Sequence, residues 1–172
     1  EVALAEAHTF DPLQAHKRFR IHLSDIGEAR FLPSLMQALR EQAPNVQLET
    51  LPVPMGEIAD ALDRGTLDIA IGFLPSVTGT QQEVLLSDHY AVLLRKEHPV
   101  LKGLVGPQLS HKHLRRLDYV AVRSHSETLR ILRTLDLQQR VRLSAAHFRA
   151  GPTIVRQTEL AVIMPAEVAV TF

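Results

Sequence analysis

Five short segments of the sequence combine hydroxyl, imidazole or apolar side chains, and each follows a predicted strand. The segments begin at Ser24, Pro54, Phe73, Ser124 and His147. Ligands of open α/β sheets bind outside the carboxyl ends of the strands. Several of these segments lead into helices, whose unpaired N–H groups and positive dipole suit an anion. Together they predict a site for a small ligand with one anionic group and an apolar body.

The residues of this predicted site also suit ordinary structural roles. The full set is Ser24, Asp25, Ile26, Gly27, Pro54, Met55, Phe73, Ser124, His125, His147 and Phe148. Asp25 precedes Glu28 by three residues, which is the spacing of a capping box, and Ser124 stands in the same relation to Glu127. The two serines therefore suit helix capping. The histidines suit exposed or backbone-bonded positions, and the methionine and phenylalanines suit a core.

The sequence gives little support to catalysis. It contains no G-x-G-x-x-G, no phosphate loop ending in G-K-[ST], no H-E-x-x-H and no G-x-S-x-G. A triad drawn from Ser24, Asp25 and His147 is one arbitrary choice among many. His111 and His113 would share one face of a strand, but the Pro, Gly and Ser around them favour an exposed loop. There is no cysteine to serve as nucleophile or ligand. We therefore predict no catalytic residue, metal or cofactor, and an enzyme is the least favoured alternative.

The elements that would carry the site alternate between strand and helix. Phe19, Ile21 and Leu23 alternate with polar residues, as in a strand, and residues 19–74 predict a βαβαβ unit. Residues 67–74 are apolar apart from Asp68, which predicts a strand buried on both faces. Residues 84–86 and 90–94 are strand-like, residues 99–109 predict a loop, and the alternation resumes from Tyr119. Two α/β units thus follow one another, with a linker near residues 75–90.

Composition is typical of a globular protein with a sizeable core. The 172 residues are 45% hydrophobic and 22% charged, and no apolar run approaches the ~20 residues of a membrane span. The net charge is zero, but residues 102–149 carry ten Lys or Arg against three Asp or Glu. This excess suits an anionic ligand or a negative partner surface, although solvated arginines explain it more simply. Nucleic-acid binding by this chain is not favoured. The first residues lack the layout of a signal peptide, and we expect a cytoplasmic protein.

A series of short motifs recurs in a specific order and spacing between about residues 10 and 170. The motifs are Phe19–Glu28, Phe31–Pro33, Ala43–Val46, Gly65–Gly72, His98–Pro99 and Leu160–Pro165. The series resembles the inducer-binding domain of LysR-type transcriptional regulators. Phe10–Pro12 and Asp25–Glu28 resemble the branch that contains regulators of nodulation, salicylate and nitroaromatic-degradation genes.

This resemblance implies a fold and a domain organisation. It implies two Rossmann-like α/β subdomains arranged as in type 2 periplasmic binding proteins, with an effector in the cleft between them. Residues 1–16 would end a linker helix, 17–80 would form the first part of regulatory subdomain I, 81–168 subdomain II, and 169–172 the start of a return to subdomain I. The rest of that return, and an amino-terminal winged helix-turn-helix, would lie outside the chain.

The resemblance also implies a ligand and partners. By position, the effector contacts of the family fall on the eleven residues of the predicted site, and the branch prefers aromatic carboxylates. The resemblance implies homo-oligomers, namely a dimer through this domain and a tetramer of the full-length protein. It implies that promoter DNA is bound only through the absent helix-turn-helix. No membrane partner is expected. The alternative is a solute-binding protein of a transport system, which has the same architecture and needs an export signal.

Overall fold

The computed structural model describes residues 10–104, 106 and 108–170, and the chain divides into two compact units, Glu1–Gln82 and Glu83–Phe172. Residues 1–9 of the predicted linker helix lie outside the described residues, as do residues 171–172 of the predicted return. Residues 10–16 contain a turn instead of a helix. The Asp11 carboxylate accepts the N–H of Leu13 at 3.0 Å, a local bond that favours a turn over a helix.

The first unit is a three-stranded parallel sheet with helices between its strands. Its elements are β1 (Arg18–His22), α1 (Asp25–Gln42), β2 (Gln47–Thr50), a 3₁₀ turn (Met55–Glu57), α2 (Ile58–Asp63) and β3 (Ile69–Ala70). The strand order is β2-β1-β3, and Ile21 is paired with both Thr50 and Ile69. The predicted βαβαβ unit is confirmed. The alternation along β1 buries Ile21 and leaves His22 on the opposite face.

An arginine in the middle of β1 and the aspartate directly before β3 join these two strands. The backbone N–H of Arg20 donates to Asp68 Oδ2 at 2.8 Å, and the Arg20 guanidinium lies 3.2 Å from the same oxygen. The backbone hydrogen bond and then the guanidinium bond hold the pKa of the Asp68 carboxyl below its ordinary value. The one charged residue in the apolar run of residues 67–74 therefore fixes how β3 pairs with β1.

The predicted strand over residues 67–74 is wrong in its length and burial. Only Ile69–Ala70 pair as a strand, and in the described sheet β3 has a single neighbour, β1. Leu67 is buried, but Ile69 is 45% exposed and Phe73 is 61% exposed. The apolar run is typical of a strand between two neighbours, whereas β3 lies at an edge, where one side of the strand remains accessible.

The second unit is a mixed four-stranded sheet. Its elements are β4 (Tyr90–Leu93), a 3₁₀ turn (Pro99–Leu101), α3 (His111–Leu114), β5 (Asp118–Val122), α4 (Ser126–Thr134), a 3₁₀ turn (Gln138–Arg140), β6 (Val141–Ala145), a 3₁₀ turn (Phe148–Ala150), α5 (Gly151–Gln157), β7 (Leu160–Pro165) and α6 (Ala166–Ala169). The order is β4-β7-β5-β6, and only β4 runs antiparallel to its neighbour. Tyr119, Leu132 and Ala161 belong to its buried core.

The first and last segments of the second unit meet at one place. Ala166 donates its N–H to the carbonyl of His89 at 2.8 Å, and the Asp88 carboxylate accepts the N–H of Glu167 at 3.2 Å. The same carboxylate accepts the N–H of His89 at 2.7 Å. The segment directly before β4 is thereby attached to the start of α6, with Asp88 and Glu167 separated by 79 residues.

Two predictions about the second unit need correction. Residues 84–86 were expected to form a strand, but they pair with no strand among the described residues, and Val84, Leu85 and Leu86 are all exposed. The segment around His111 and His113 forms the short helix α3 instead of a loop. Two residues spaced i,i+2 do not face each other on a helix, so the spacing that suggested a metal pair does not bring these two rings together.

Candidate functional site

In the first unit, the N-terminus of α1 lies directly after the carboxyl end of β1. Ser24 is the N-cap of α1, and its Oγ accepts the N–H of Gly27 at 3.2 Å. The prediction that Asp25 begins the cap is therefore wrong by one residue; Asp25 is the first residue of the helix and places a carboxylate in its first turn. Ile26 and Gly27 are buried. Of the four predicted contacts in this segment, Ser24 and Asp25 retain partial exposure.

A histidine that the sequence analysis did not select holds the neighbouring loop. His22 ends β1, and its Nδ1 accepts the N–H of Val53 at 3.1 Å. The carbonyl of Leu51 lies 3.1 Å from the same nitrogen. The ring thus fixes the backbone immediately before Pro54 and Met55. His22 fits the polar half of the β1 alternation, so the sequence carries no signal that distinguishes this role from ordinary exposure.

The remaining predicted contacts of the first unit differ in what they offer a ligand. Pro54 is exposed and precedes the 3₁₀ turn that Met55 begins. The Met55 side chain packs against the core cluster around Ile58 and Leu67, which is the structural role that the sequence left open. Phe73, by contrast, presents most of its ring to solvent. The apolar surface available beside the strand ends is therefore that of Phe73.

In the second unit, His125 and not Ser124 caps α4. The N–H of Thr128 donates to His125 Nδ1 at 3.3 Å, and the Thr128 hydroxyl lies 3.1 Å from that nitrogen. Ser124 is exposed in the preceding turn, so its predicted capping box with Glu127 is wrong. His125 stands directly before α4, so its ring and not the Ser124 side chain satisfies the N–H of Thr128.

Three aromatic rings lie together at the same end of this sheet. The His125 and Tyr90 ring centroids are 5.9 Å apart at an interplanar angle of 66°, and the His125 and Phe148 centroids are 5.2 Å apart at 80°. These edge-to-face arrangements are favourable for aromatic pairs. Phe148 is only 1% exposed, so it supports the His125 ring from the core. Tyr90, which is not among the predicted ligand contacts, completes the cluster.

Charged groups border the aromatic cluster. Burial, reinforced by the carboxylates of Glu127 and Asp88, raises the pKa of Tyr90 to about 12. The Arg130 Nε lies 2.9 Å from both carboxylate oxygens of Glu127, and this hydrogen bonding holds the pKa of Glu127 below its ordinary value. At neutral pH the phenol is therefore a hydrogen-bond donor, and Glu127 is an ionised carboxylate paired with a cation.

His147 follows the carboxyl end of β6. It precedes the 3₁₀ turn Phe148–Ala150, and its side chain is exposed. It is therefore placed to contact a ligand from solvent, unlike its buried neighbour Phe148. Within the part of the chain that the structure describes, no group of three or more His, Cys, Asp or Glu side chains could hold a metal ion.

Comparison with known proteins identifies the family of the chain. A family model described as LysR substrate binding domain matches residues 13–171. The chain belongs to this family. The resemblance of the sequence motifs to LysR-type regulators is thereby confirmed.

Relatives of this LysR substrate binding domain include named regulators. The chain is 35% identical to the HTH-type transcriptional activator NahR of Pseudomonas putida over 97% of its own length and 56% of the relative. It is 33% identical to the HTH-type transcriptional activator NagR of a Ralstonia species over 99% of its own length and 57% of the relative. Nodulation protein D 1 of Sinorhizobium fredii is 28% identical, over 95% of the chain and 51% of the relative. The chain thus spans about half the length of these curated relatives.

Solved structures agree on the fold of the LysR substrate binding domain. A putative transcriptional regulator from Vibrio parahaemolyticus superposes with a TM-score of 0.72 at 22% identity, over 93% of this chain and 76% of the other. A probable transcriptional regulator from Pseudomonas aeruginosa superposes with a TM-score of 0.76 at 22% identity, over 98% of this chain and 57% of the other. The predicted class, two Rossmann-like subdomains of the type 2 periplasmic-binding kind, is confirmed. Among the described residues, no helix has the length and apolar character needed to span a bilayer.

Proposed function

We propose that the chain is the ligand-sensing part of a cytoplasmic transcriptional regulator and that its effector is a small aromatic carboxylate. The observation that carries the proposal is the match of residues 13–171 to the LysR substrate binding domain. Relatives named as transcriptional activators support a role in regulation over one in transport or catalysis. Promoter DNA would be contacted by another part of the full-length protein, which would act as a homo-oligomer.

A carboxylate suits the polar groups at the strand ends. The 18-residue helix α1 begins at the end of β1 with the part-exposed Ser24 hydroxyl, and the positive end of its dipole favours an anion. In the second unit, the exposed His147 ring lies in the segment of the chain with the excess of positive charge. Both units therefore offer donors to an acid.

An aromatic body suits the apolar groups beside these donors. The exposed ring of Phe73 follows β3 in the first unit, and Tyr90 and His125 present part of their surfaces in the second. Aromatic pairs gain about 0.5–1.5 kcal/mol beyond the burial of their area. A planar ring packed on either of these surfaces thus gains more than an aliphatic acid of similar size.

Binding controls transcription through the relative stability of two states. An effector shifts a conformational equilibrium only by its differential affinity for the two forms. In this proposal the effector favours one form of the domain, and the change is transmitted through the packing of protomers in the oligomer. The alternative, a solute-binding protein, is distinguished by the parent reading frame, which would encode an export signal instead of a helix-turn-helix.

Isothermal titration calorimetry tests the ligand class. We expect salicylate to bind the chain. Salicyl alcohol lacks the carboxylate and should bind much more weakly, and cyclohexanecarboxylate lacks the aromatic ring and should bind less tightly than salicylate. Equal affinities for salicylate and salicyl alcohol would show that no carboxylate is recognised. Absence of heat and of any thermal shift with a panel of aromatic and aliphatic acids refutes the sensing role.

Variants in each unit identify the surfaces that take part. Ser24→Ala should weaken salicylate binding by about 1 kcal/mol, roughly fivefold, because one hydrogen bond is lost. Ser34→Ala, an exposed serine of the same helix, is the matched control. His147→Ala should weaken binding with little loss of stability, and His89→Ala controls for removal of an exposed ring. Unchanged affinity in either test variant removes that residue from the site.

A further inference from the structure

A buried threonine lies behind the aromatic cluster of the second unit. Thr128, in the first turn of α4, is fully buried. Its hydroxyl oxygen lies 3.3 Å from the carbonyl of Ile163 in β7 and 3.1 Å from Nδ1 of His125. One hydroxyl therefore connects the cap of α4, the helix itself and the neighbouring strand. A buried hydroxyl is costly unless it is bonded, and these two partners account for its burial.

The hydrogen bonds at this contact determine which ring nitrogen of His125 carries the proton. The backbone N–H of Thr128 also donates to His125 Nδ1, so this nitrogen presents a lone pair and not a proton. In neutral imidazole the proton then resides on Nε2. The Thr128 hydroxyl carries one proton, which it donates to the carbonyl of Ile163 at 3.3 Å. The backbone N–H is therefore the group that donates to Nδ1, and the hydroxyl holds this N–H in place by joining the first turn of α4 to β7.

The same contact fixes the plane of the ring. Two groups of one residue approach Nδ1, and the Ile163 carbonyl holds the hydroxyl in place from β7. The His125 ring is then kept edge-to-face between Tyr90 and Phe148. A ring held in this way loses no rotamer freedom when a ligand packs against it, and such preorganisation increases affinity.

We propose that Thr128 is a positioning residue: its hydroxyl ties the first turn of α4 to β7, and its backbone N–H thereby fixes the tautomer and orientation of His125 at the surface where the second unit receives its aromatic ligand. This inference rests on the proposed function for its effect on binding. Its effect on the imidazole is independent of any ligand. Thr128 acts only through His125, because a fully buried side chain presents no surface of its own to a ligand.

Nuclear magnetic resonance of the imidazole nitrogens tests the hold on the ring in the ligand-free chain. The nine histidines are labelled with ¹⁵N, and the His125 signals are identified by their loss in His125→Asn. At mildly alkaline pH, where free imidazole is neutral, we expect the wild-type chain to show the Nε2–H tautomer. An Nδ1–H tautomer in the wild-type chain overturns the proposal without any Thr128 variant.

Substitutions of Thr128 then test the hydroxyl. Thr128→Val keeps the shape and the backbone N–H but removes the bond to Ile163, so the first turn of α4 is no longer tied to β7. We expect the Nε2–H tautomer to lose its dominance and salicylate to bind about fivefold more weakly, as for the loss of one hydrogen bond. Thr128→Ser retains the hydroxyl and should restore both properties. Thr134→Val makes the same change at an exposed position of α4 and should alter neither. If Thr128→Val does not fold, the tautomer of the wild-type chain and the tautomer and affinity of Thr128→Ser still test the proposal.

The outcomes separate this inference from the proposed function. If salicylate binds the wild-type chain and Thr128→Val changes neither tautomer nor affinity, the positioning role is refuted and the sensing role stands. A changed tautomer with unchanged affinity refutes the link to binding. If no acid binds the wild-type chain but the tautomer responds to Thr128→Val, the proposed function fails while the hold of Thr128 on His125 is supported.

Discussion

A buried histidine outside the candidate site, His98, allows a quantitative test of the stability of the second unit. His98 is 6% exposed and caps the 3₁₀ turn Pro99–Leu101. Its Nδ1 accepts the N–H of Val100 at 3.1 Å, so the proton lies on Nε2, which donates to the carbonyl of Glu159 at 3.0 Å. One ring therefore ties this turn to the residue that precedes β7, 61 positions later.

Replacement by alanine removes both bonds and a packed ring. Each hydrogen bond contributes about 1 kcal/mol, and leaving a buried N–H unpaired costs about 1–3 kcal/mol. The amide of Val100 is in a buried residue, whereas the carbonyl of Glu159 is in an exposed one and regains water. We therefore expect His98→Ala to lower the free energy of unfolding of the second unit by about 2–4 kcal/mol.

Two conservative variants divide this loss between the bonds. Asparagine places an oxygen near the position of Nδ1 and preserves the cap on Val100, and glutamine reaches Glu159 with its amide and preserves that donor. Each should lose about half of what His98→Ala loses. His89→Ala, whose side chain is 83% exposed, is the control and should stay within about 0.5 kcal/mol of the parent.

Tyrosine fluorescence in a urea titration measures the effect on the second unit alone. The chain has two tyrosines and no tryptophan, and Tyr90 and Tyr119 both belong to Glu83–Phe172. The midpoint should fall in His98→Ala with an unchanged dependence on urea. A midpoint equal to that of the control would refute the structural role of His98. Equal losses in the alanine, asparagine and glutamine variants would refute the division into two bonds.

Three further expectations concern helix capping and ionisation. Ser24→Ala should destabilise the first unit by about 1 kcal/mol in urea, through the lost cap on α1, while Ser24→Asp should not. Because the pKa of Asp68 is lowered in the folded state, the carboxylate stabilises the fold above its unfolded pKa, and this stabilisation is lost as the pH falls through the folded pKa. Circular dichroism of an acid titration should therefore show a smaller pH-dependent loss of stability in Asp68→Asn than in the parent. Burial raises the pKa values of Tyr90 and Tyr119 to about 12, so stability should decline between about pH 10 and 12, with little tyrosinate absorbance below that range.

The sequence predicted the elements wherever local pattern and pairing agree. Strand β1 alternates cleanly over Phe19, Ile21 and Leu23 and lies close to its predicted position, and the βαβαβ order predicted for residues 19–74 is the order of the first unit. Residues 67–74 and 84–86 were predicted less well. Their apolar content indicates burial, but which face is covered depends on neighbouring strands, and a single segment does not encode its neighbours.

The site was predictable in outline but not in its supporting contacts. The strand ends were located by the alternation alone, and the placement of Ser24 as a cap follows from its type. His22 and Thr128 were not found, because their roles depend on backbone groups 31 and 35 residues away. His125 and not Ser124 caps α4 because the helix begins at Ser126, one residue later than the capping-box spacing predicts. The ligand assignment stays a prediction.

The attachment of β4 to α6 constrains the order in which the second unit is made. The single strand partner of β4 in the described sheet is β7, and their pairing joins Leu93 to Val162. A ribosome therefore releases β4 long before its partner exists, and closing so large a loop costs entropy that only the finished sheet repays. During synthesis β4 therefore stays unpaired, with its backbone groups hydrated, until β7 leaves the exit tunnel.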